Sequence, residues 1–197
     1  MKKLLTGLLA TLCLTACVPL MVVGSAAMGV WIGSDPREPE IIKSDFDGDA
    51  ELEARILDSY KDTAHVNVNM FNDVVLLTGE VRDAAARAQI ERFAQEMKRK
   101  PRAIHNEVVI GEISSGMSRL NDSQISARVK AAVLAEAEDP ASVHIMVVTE
   151  RSVVYLMGIS RPEIIERAAR SASRVSGVKQ VVKLVELAPE RPAGRAK

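Results

Sequence analysis

Val74-Val75-Leu76-Leu77-Thr78-Gly79 and Val153-Val154-Tyr155-Leu156-Met157-Gly158 decide how this chain is read. Each is a continuously apolar strand closed by a glycine. Each follows a turn, Asn72-Asp73 in one case and Glu150-Arg151 in the other, and before the turn an alternating strand, with Val66, Val68 and Met70 or with Val143, Ile145 and Val147. Alternation at period two marks a strand with one buried face, so each half of the chain holds a hairpin.

Working outward, the two halves continue to match. Upstream, Asp49-Ala50-Glu51-Leu52-Glu53-Ala54-Arg55-Ile56 has the pattern of Asp122-Ser123-Gln124-Ile125-Ser126-Ala127-Arg128-Val129. Asp49 and Asp122 read as N-caps, and Leu52, Ile56 and Tyr60 line up with Ile125, Val129 and Val133 at helical spacing. Downstream of the glycines comes a second amphipathic helix, with Ile90, Phe93, Ala94 and Met97 or Ile165, Ala168, Ala169, Ala172 and Val175. A last strand, residues 103–110 or 178–187, closes each copy. The order α-β-β-α-β predicts an α+β fold, in which each copy is a three-stranded sheet covered on one face by two helices. The domains expected are 49–112 and 122–187, joined by a linker at 113–121 and followed by a tail at 188–197.

The N-terminus carries a different signal. Met1-Lys2-Lys3, an apolar run from Leu4 to Leu14 and Leu14-Thr15-Ala16-Cys17 resemble a lipoprotein signal peptide, residues 1–16, cut before the cysteine. The run is too short to span a bilayer. Cys17 is then the expected lipidation site, its thiol carrying diacylglycerol and its new amine an acyl chain, with no other cofactor implied. Several acyl chains make a durable anchor where one binds reversibly. Val18, in the place of a retention-signal aspartate, points to the outer membrane, facing the periplasm. Residues 17–48 form the lipidated start and tether. Within them, the apolar stretch 18–32 reads equally as a loose tether or as a segment lying on the membrane.

Composition narrows the function. With Cys13 lost and Cys17 lipidated, no thiol remains for a disulfide, a metal or catalysis. Removing Lys2 and Lys3 leaves 24 basic against 26 acidic residues, which does not suit a nucleic-acid binder. His65, His105 and His144 stand apart in sequence, without the spacing of a zinc motif, and Asp73, Asp83 and Asp139 sit where caps and turns are expected. No nucleophile elbow, phosphate-binding glycine loop or acid pair appears. Neither a catalytic nor a metal residue is expected. Arg167, Arg170 and Arg174, beside Glu163 and Glu166, read as a solvated helix face.

The strands ending in Gly79 and Gly158, and Ser173-Arg174-Val175-Ser176-Gly177-Val178-Lys179-Gln180-Val181, together resemble the BON domain family, twice over. The resemblance implies a lipoprotein whose second BON copy binds anionic phospholipid, such as phosphatidylglycerol or cardiolipin, through its first helix. It further implies placement at division sites and support of outer-membrane integrity. Two places depart from the family pattern: Lys98-Arg99-Lys100-Pro101-Arg102 stands where a Gly-Val turn is usual, and Gln124 where the lipid-binding helix would carry an aromatic residue.

The residues of that helix add their own argument. Ile125, Val129, Ala132 and Val133 form a core stripe, while Ala127, Ala131 and Leu134 lie on another face, flanked by Arg128 and Lys130. An apolar strip with cations beside it suits a headgroup region. Gln124, Ala127, Arg128, Lys130, Ala131 and Leu134 are the candidate phospholipid site. The positions taken as equivalent in the first copy, Ala54, Asp58 and Lys61, are polar. Two alternatives stay open: the strip packs against the other copy, or the domains form a scaffold for outer-membrane assembly factors or cell-wall hydrolase regulators.

Overall fold

The computed structural model describes residues 35–137 and 144–187. Cys17 and the signal segment, Asp139 and the C-terminal tail lie outside them. The first copy comprises helix α1 (Pro39–Tyr60), strands β1 (Ala64–Phe71) and β2 (Val74–Val81), helix α2 (Ala84–Gln95) and a last strand broken into β3 (Ala103–Asn106) and β4 (Val109–Ile110). The second comprises α3 (Gly116–Ala135), β5 (Met146–Glu150), β6 (Val153–Ser160), α4 (Pro162–Ser173) and β7 (Gln180–Leu187). In each, the glycine-ended strand is central, antiparallel to its hairpin partner and parallel to the closing strand. The predicted α-β-β-α-β order is therefore present twice, and both copies fall in one compact unit beginning at Pro36.

The lead helices start earlier than their sequences suggest. Pro39 at the first helical position opens α1, and the Ser115 hydroxyl, accepting from the Ser118 amide at 3.2 Å, opens α3. Neither Asp49 nor Asp122 is an N-cap. Residues 39–48, read as tether, are helical, as is the linker from Gly116 on. The buried positions are Asp45, Gly48, Leu52 and Ile56 on α1, and Asp122, Ile125, Val129 and Val133 on α3. Matching these sets pairs Leu52 with Val129 and Ile56 with Val133, one helical turn away from the alignment that the sequence suggested.

This register gives Asp45 and Asp122 a shared task. Each hairpin closes in two residues that both have positive φ, Asn72 (55°) and Asp73 (61°), or Arg151 (51°) and Ser152 (67°). Such turns twist with the strands and favour Asn, Asp and Gly, so Asn72 and Asp73 suit theirs while Arg151 and Ser152 are strained. A buried carboxylate holds each turn. Asp45 accepts from the amides of Asn72 (2.6 Å) and Asp73 (2.9 Å), and Asp122 from those of Arg151 (3.0 Å) and Ser152 (2.9 Å). Arg37, itself buried and stacked 3.9 Å over the Phe71 ring, pairs with Asp45 at 2.7 Å. In the first copy Arg99 also grips Asp73 through Nε and Nη2, while Arg102 donates to the Asn72 carbonyl. The basic segment at 98–102 thus wraps the hairpin tip. Gly79, at φ 113°, is required by close approach, because a Cβ there would sit 2.0 Å from the His65 carbonyl oxygen.

The apolar runs are continuous because both faces of the central strands are covered. Val75, Leu77 and Val81 face α1 and α2, and Val154 and Leu156 face α3 and α4. On the opposite faces Phe71, Val74 and Leu76 of the first copy pack with Tyr155 and Met157 of the second in a third apolar cluster. The domains therefore meet sheet to sheet. Asn67 to Glu150 (2.8 Å), Asn72 to Glu186 (2.9 Å) and an Arg102–Glu186 ion pair bind the margins of that contact.

Removing either buried aspartate leaves turn amides without their acceptor. Asp45→Ala, which also takes from buried Arg37 its 2.7 Å ion-pair partner, should cost about 3–5 kcal/mol, and Asp122→Ala about 2–3 kcal/mol, in urea unfolding.

Candidate functional site

Helix α3 is apolar on two opposite sides. At about 100° per residue, Asp122, Ile125, Val129 and Val133 fall on one side and pack on the sheet. Met117, Leu120, Gln124, Ala127, Ala131 and Leu134, spaced alternately by three and four, fall on the other, and all six are exposed. Met117 is 74%, Leu120 52% and Leu134 49% exposed, so the three largest apolar side chains of this strip face water. Arg119 and Lys130 run along one flank, and Arg128 lies on the other. The candidate residues of α3 are thus brought onto one face, which begins one and a half turns before Asp122. Met117, Arg119 and Leu120 fall in the stretch 113–121 that reads as linker by composition, but the helix already runs through it from Gly116. The Ser114-Ser115-Gly116 cap was the signal available there.

The strip does not pack in the core of the other copy, since the sheets fill that role. Ala127 and Lys130 line the edge of a groove of about 470 Å³ shared with Glu53, Asn67 and Asn69 of that copy.

The corrected register also changes the comparison of the two lead helices. The counterparts of Ala127, Ala131 and Leu134 are Ala50, Ala54 and Leu57, not Ala54, Asp58 and Lys61. Leu57 and Phe46 are both exposed, so α1 has apolar surface of its own. The helices differ in charge instead, with Glu51 and Glu53 standing where α3 has Arg128 and Lys130. Two basic features of the sequence are partnered: Lys183 pairs with Glu166, Arg174 lies 3.9 Å from Glu136, and Arg99 and Arg102 hold the hairpin.

His65 is isolated in sequence but not in the fold. Its Nδ1 lies 3.2 Å from Oε2 of Glu80, a fully buried side chain at the domain junction that also meets Arg151 Nη1 at 3.3 Å and accepts from the Ser114 amide at 3.2 Å. Glu150, 5% exposed, lies beside them. Burial pushes its carboxyl up to about 7, and the Glu80 charge adds to the rise while the Asn67 amide opposes it. Burial likewise raises Asp49 to about 7, against the pull of the Met70 amide and with a further push from Asp45 and Glu53. No helix among the described residues is long and apolar enough to cross a membrane.

The BON domain family profile matches residues 45–112 and 121–189. The outer membrane lipoprotein DolP of Haemophilus influenzae is 27% identical over 190 residues, 93% of this chain and 95% of that one. A 21 kDa hemolysin of Actinobacillus pleuropneumoniae is 32% identical over 126 residues, covering 64% of this chain and 63% of its own. Among solved structures, CdsD, a structural protein of the type III secretion system of Chlamydia trachomatis, aligns with 72% of this chain and 92% of its own at 11% identity. Its TM-score of 0.31 is too low to carry an argument.

Because Leu134 faces water and Tyr155 the domain junction, Leu134→Glu should change stability by less than about 0.5 kcal/mol and Tyr155→Ala should cost about 3 kcal/mol in chemical denaturation. A carboxyl whose folded-state pKa is raised contributes stability that is present below its ordinary pKa and lost as pH rises through the folded value. Stability should therefore decline between the ordinary value of 3.8 and about 7, and Asp49→Asn should flatten that decline in urea titrations across this range.

Proposed function

The chain belongs to the BON domain family, and from that premise we propose a non-enzymatic lipoprotein of the outer membrane that faces the periplasm and reads anionic phospholipid with its second BON domain. The outer face of α3 is the observation that carries this reading. Met117, Leu120 and Leu134 are large apolar groups with no core to enter, while Arg119, Arg128 and Lys130 stand where headgroup phosphates would lie. Such a helix lies in the plane of the interface, its apolar face among the acyl chains. Full burial of a Leu or Met side chain stabilises by roughly 1.5–3 kcal/mol, and each cation near an anionic surface adds about 1 kcal/mol. Partial insertion gives modest affinity. The acyl chains on Cys17 would supply the rest, because an anchored domain meets the surface at high effective concentration.

The likeness to the outer membrane lipoprotein DolP of Haemophilus influenzae supports the outer-membrane placement. The family resemblance supports phosphatidylglycerol or cardiolipin as the lipids, enrichment at the division septum and a role in membrane integrity. The first domain suits a different partner. Phe46 and Leu57 are exposed on α1 among Asp47, Glu51 and Glu53, a surface that anionic lipid would repel and a basic protein would accept. This favours, as a second reading for that domain, a scaffold contact with outer-membrane assembly factors or cell-wall hydrolase regulators.

In an NMR titration of a form lacking the first 34 residues, phosphatidylglycerol micelles should shift resonances of Gly116–Ala135 and leave α1 unmoved. Leu134→Glu should weaken the effect at least about tenfold without unfolding the domain. Equal shifts with neutral micelles, or no shifts, would remove the anionic-lipid reading and leave the scaffold.

A further inference from the structure

We propose that the junction between the two domains is a binding site for a divalent transition-metal ion, best fitted by zinc, with His65 and Glu80 of the first domain and Glu150 of the second as ligands. One ligand atom from each of the three lies within 4.8 Å of the others. Ligands held at about 2.1 Å on a tetrahedral ion stand about 3.4 Å apart. His65 Nδ1 and Glu80 Oε2, at 3.2 Å, already have that separation.

The electrostatics of the junction call for a cation. Glu80 is fully buried and Glu150 nearly so, while Arg151, the guanidinium that meets Glu80 among the described residues, is half exposed and 3.3 Å away. With both carboxylates ionised and His65 neutral, two carboxylates facing one guanidinium leave a negative charge where solvation is poor. Glu150 Oε1, moreover, is buried with no hydrogen-bond partner among the described residues, and an unpaired buried carboxylate oxygen is costly. The second oxygen, Oε2, is held by the Asn67 amide at 2.8 Å, and Glu80 Oε2 accepts from the Ser114 backbone at 3.2 Å. Outer contacts of this kind orient ligands around a metal. One imidazole and two carboxylates suit zinc with water in the fourth position, whereas calcium needs six or more oxygens and magnesium a near-ideal octahedron. Because the ligands come from both domains, the ion would fasten them together.

A proton on Glu150 would also relieve the charge, and the test separates the two. The full chain, with Cys13→Ser and Cys17→Ser so that no thiol competes, is purified in neutral detergent, stripped with chelator and titrated calorimetrically with zinc chloride. One zinc should bind per chain, raise the thermal midpoint by several degrees and shift the ring resonances of His65 but not of His105 or His144. Magnesium should not reproduce this. Glu150→Gln should weaken zinc binding by at least about 100-fold, and Asn67→Ala by about tenfold. Glu150→Gln keeps the side chain's size and removes a buried charge, so its fold should be as stable as the parent's or more so. Lost zinc binding in that stable variant would assign Glu150 as a ligand. Unchanged zinc affinity in Glu150→Gln would overturn the site, and so would absence of zinc binding in the parent, which would leave the proton as the neutralising ion.

Discussion

Sheet-on-sheet contact between the two domains is the constraint on which the rest of the molecule depends. Phe71, Val74 and Leu76 meet Tyr155 and Met157, and this takes from water the faces of β2 and β6 that their own helices cannot cover. A small three-stranded sheet with helices on one side has an apolar back to hide, and a second copy of the same sheet is the nearest complementary surface. Once the backs are joined, the helices of both domains must point outward. The outer faces of α1 and α3 are thereby left free for partners.

The same contact explains where charge collects. Glu80 belongs to a central strand and Glu150 to a hairpin partner strand, and each reaches the junction because alternate residues of its strand face that way. Had the backs been open to water, both carboxylates would be ordinary surface groups. Enclosed, they depend on Arg151, Asn67, His65 and the Ser114 amide for their partners. Asp45 and Asp122 solve a related problem on the helix side, where a carboxylate placed inside a helix accepts the amides of a tight hairpin turn, and in the second domain that turn is made of Arg151 and Ser152, which are poor at the backbone angles required. The two domains share this device although their turns, Asn-Asp and Arg-Ser, have no residue type in common.

Duplication has therefore preserved the frame and divided the surfaces. At equivalent positions α1 carries Glu51 and Glu53, and α3 carries Arg128 and Lys130. Leu57 and Leu134 are both exposed, so the difference between the helices lies in the sign of the charge around similar apolar groups. One chain in this way presents a cationic helix face and an acidic one.

Local patterns determined a good deal about this protein. Period-two and period-3.6 spacing, with the glycines that end β2 and β6, gave the α-β-β-α-β order and its repetition, because each element's hydrophobic period is written in consecutive residues. The spacing of Ala127, Ala131 and Leu134 likewise marked a second apolar face on α3. Tertiary structure alone decided the rest. An aspartate buried within a helix reads locally like one that begins it, so Asp122 was mistaken for a cap and the two helices were aligned a turn apart until the hairpin amides showed what Asp45 and Asp122 hold. His65, Glu80 and Glu150 have no common spacing in the chain, and only the pairing of β1 with β2 and the meeting of the two sheets bring their side chains together. Continuous apolarity in a strand says that both faces are covered. What covers them is a matter of shape and distance between segments far apart in sequence, and that is settled only when the domains pack.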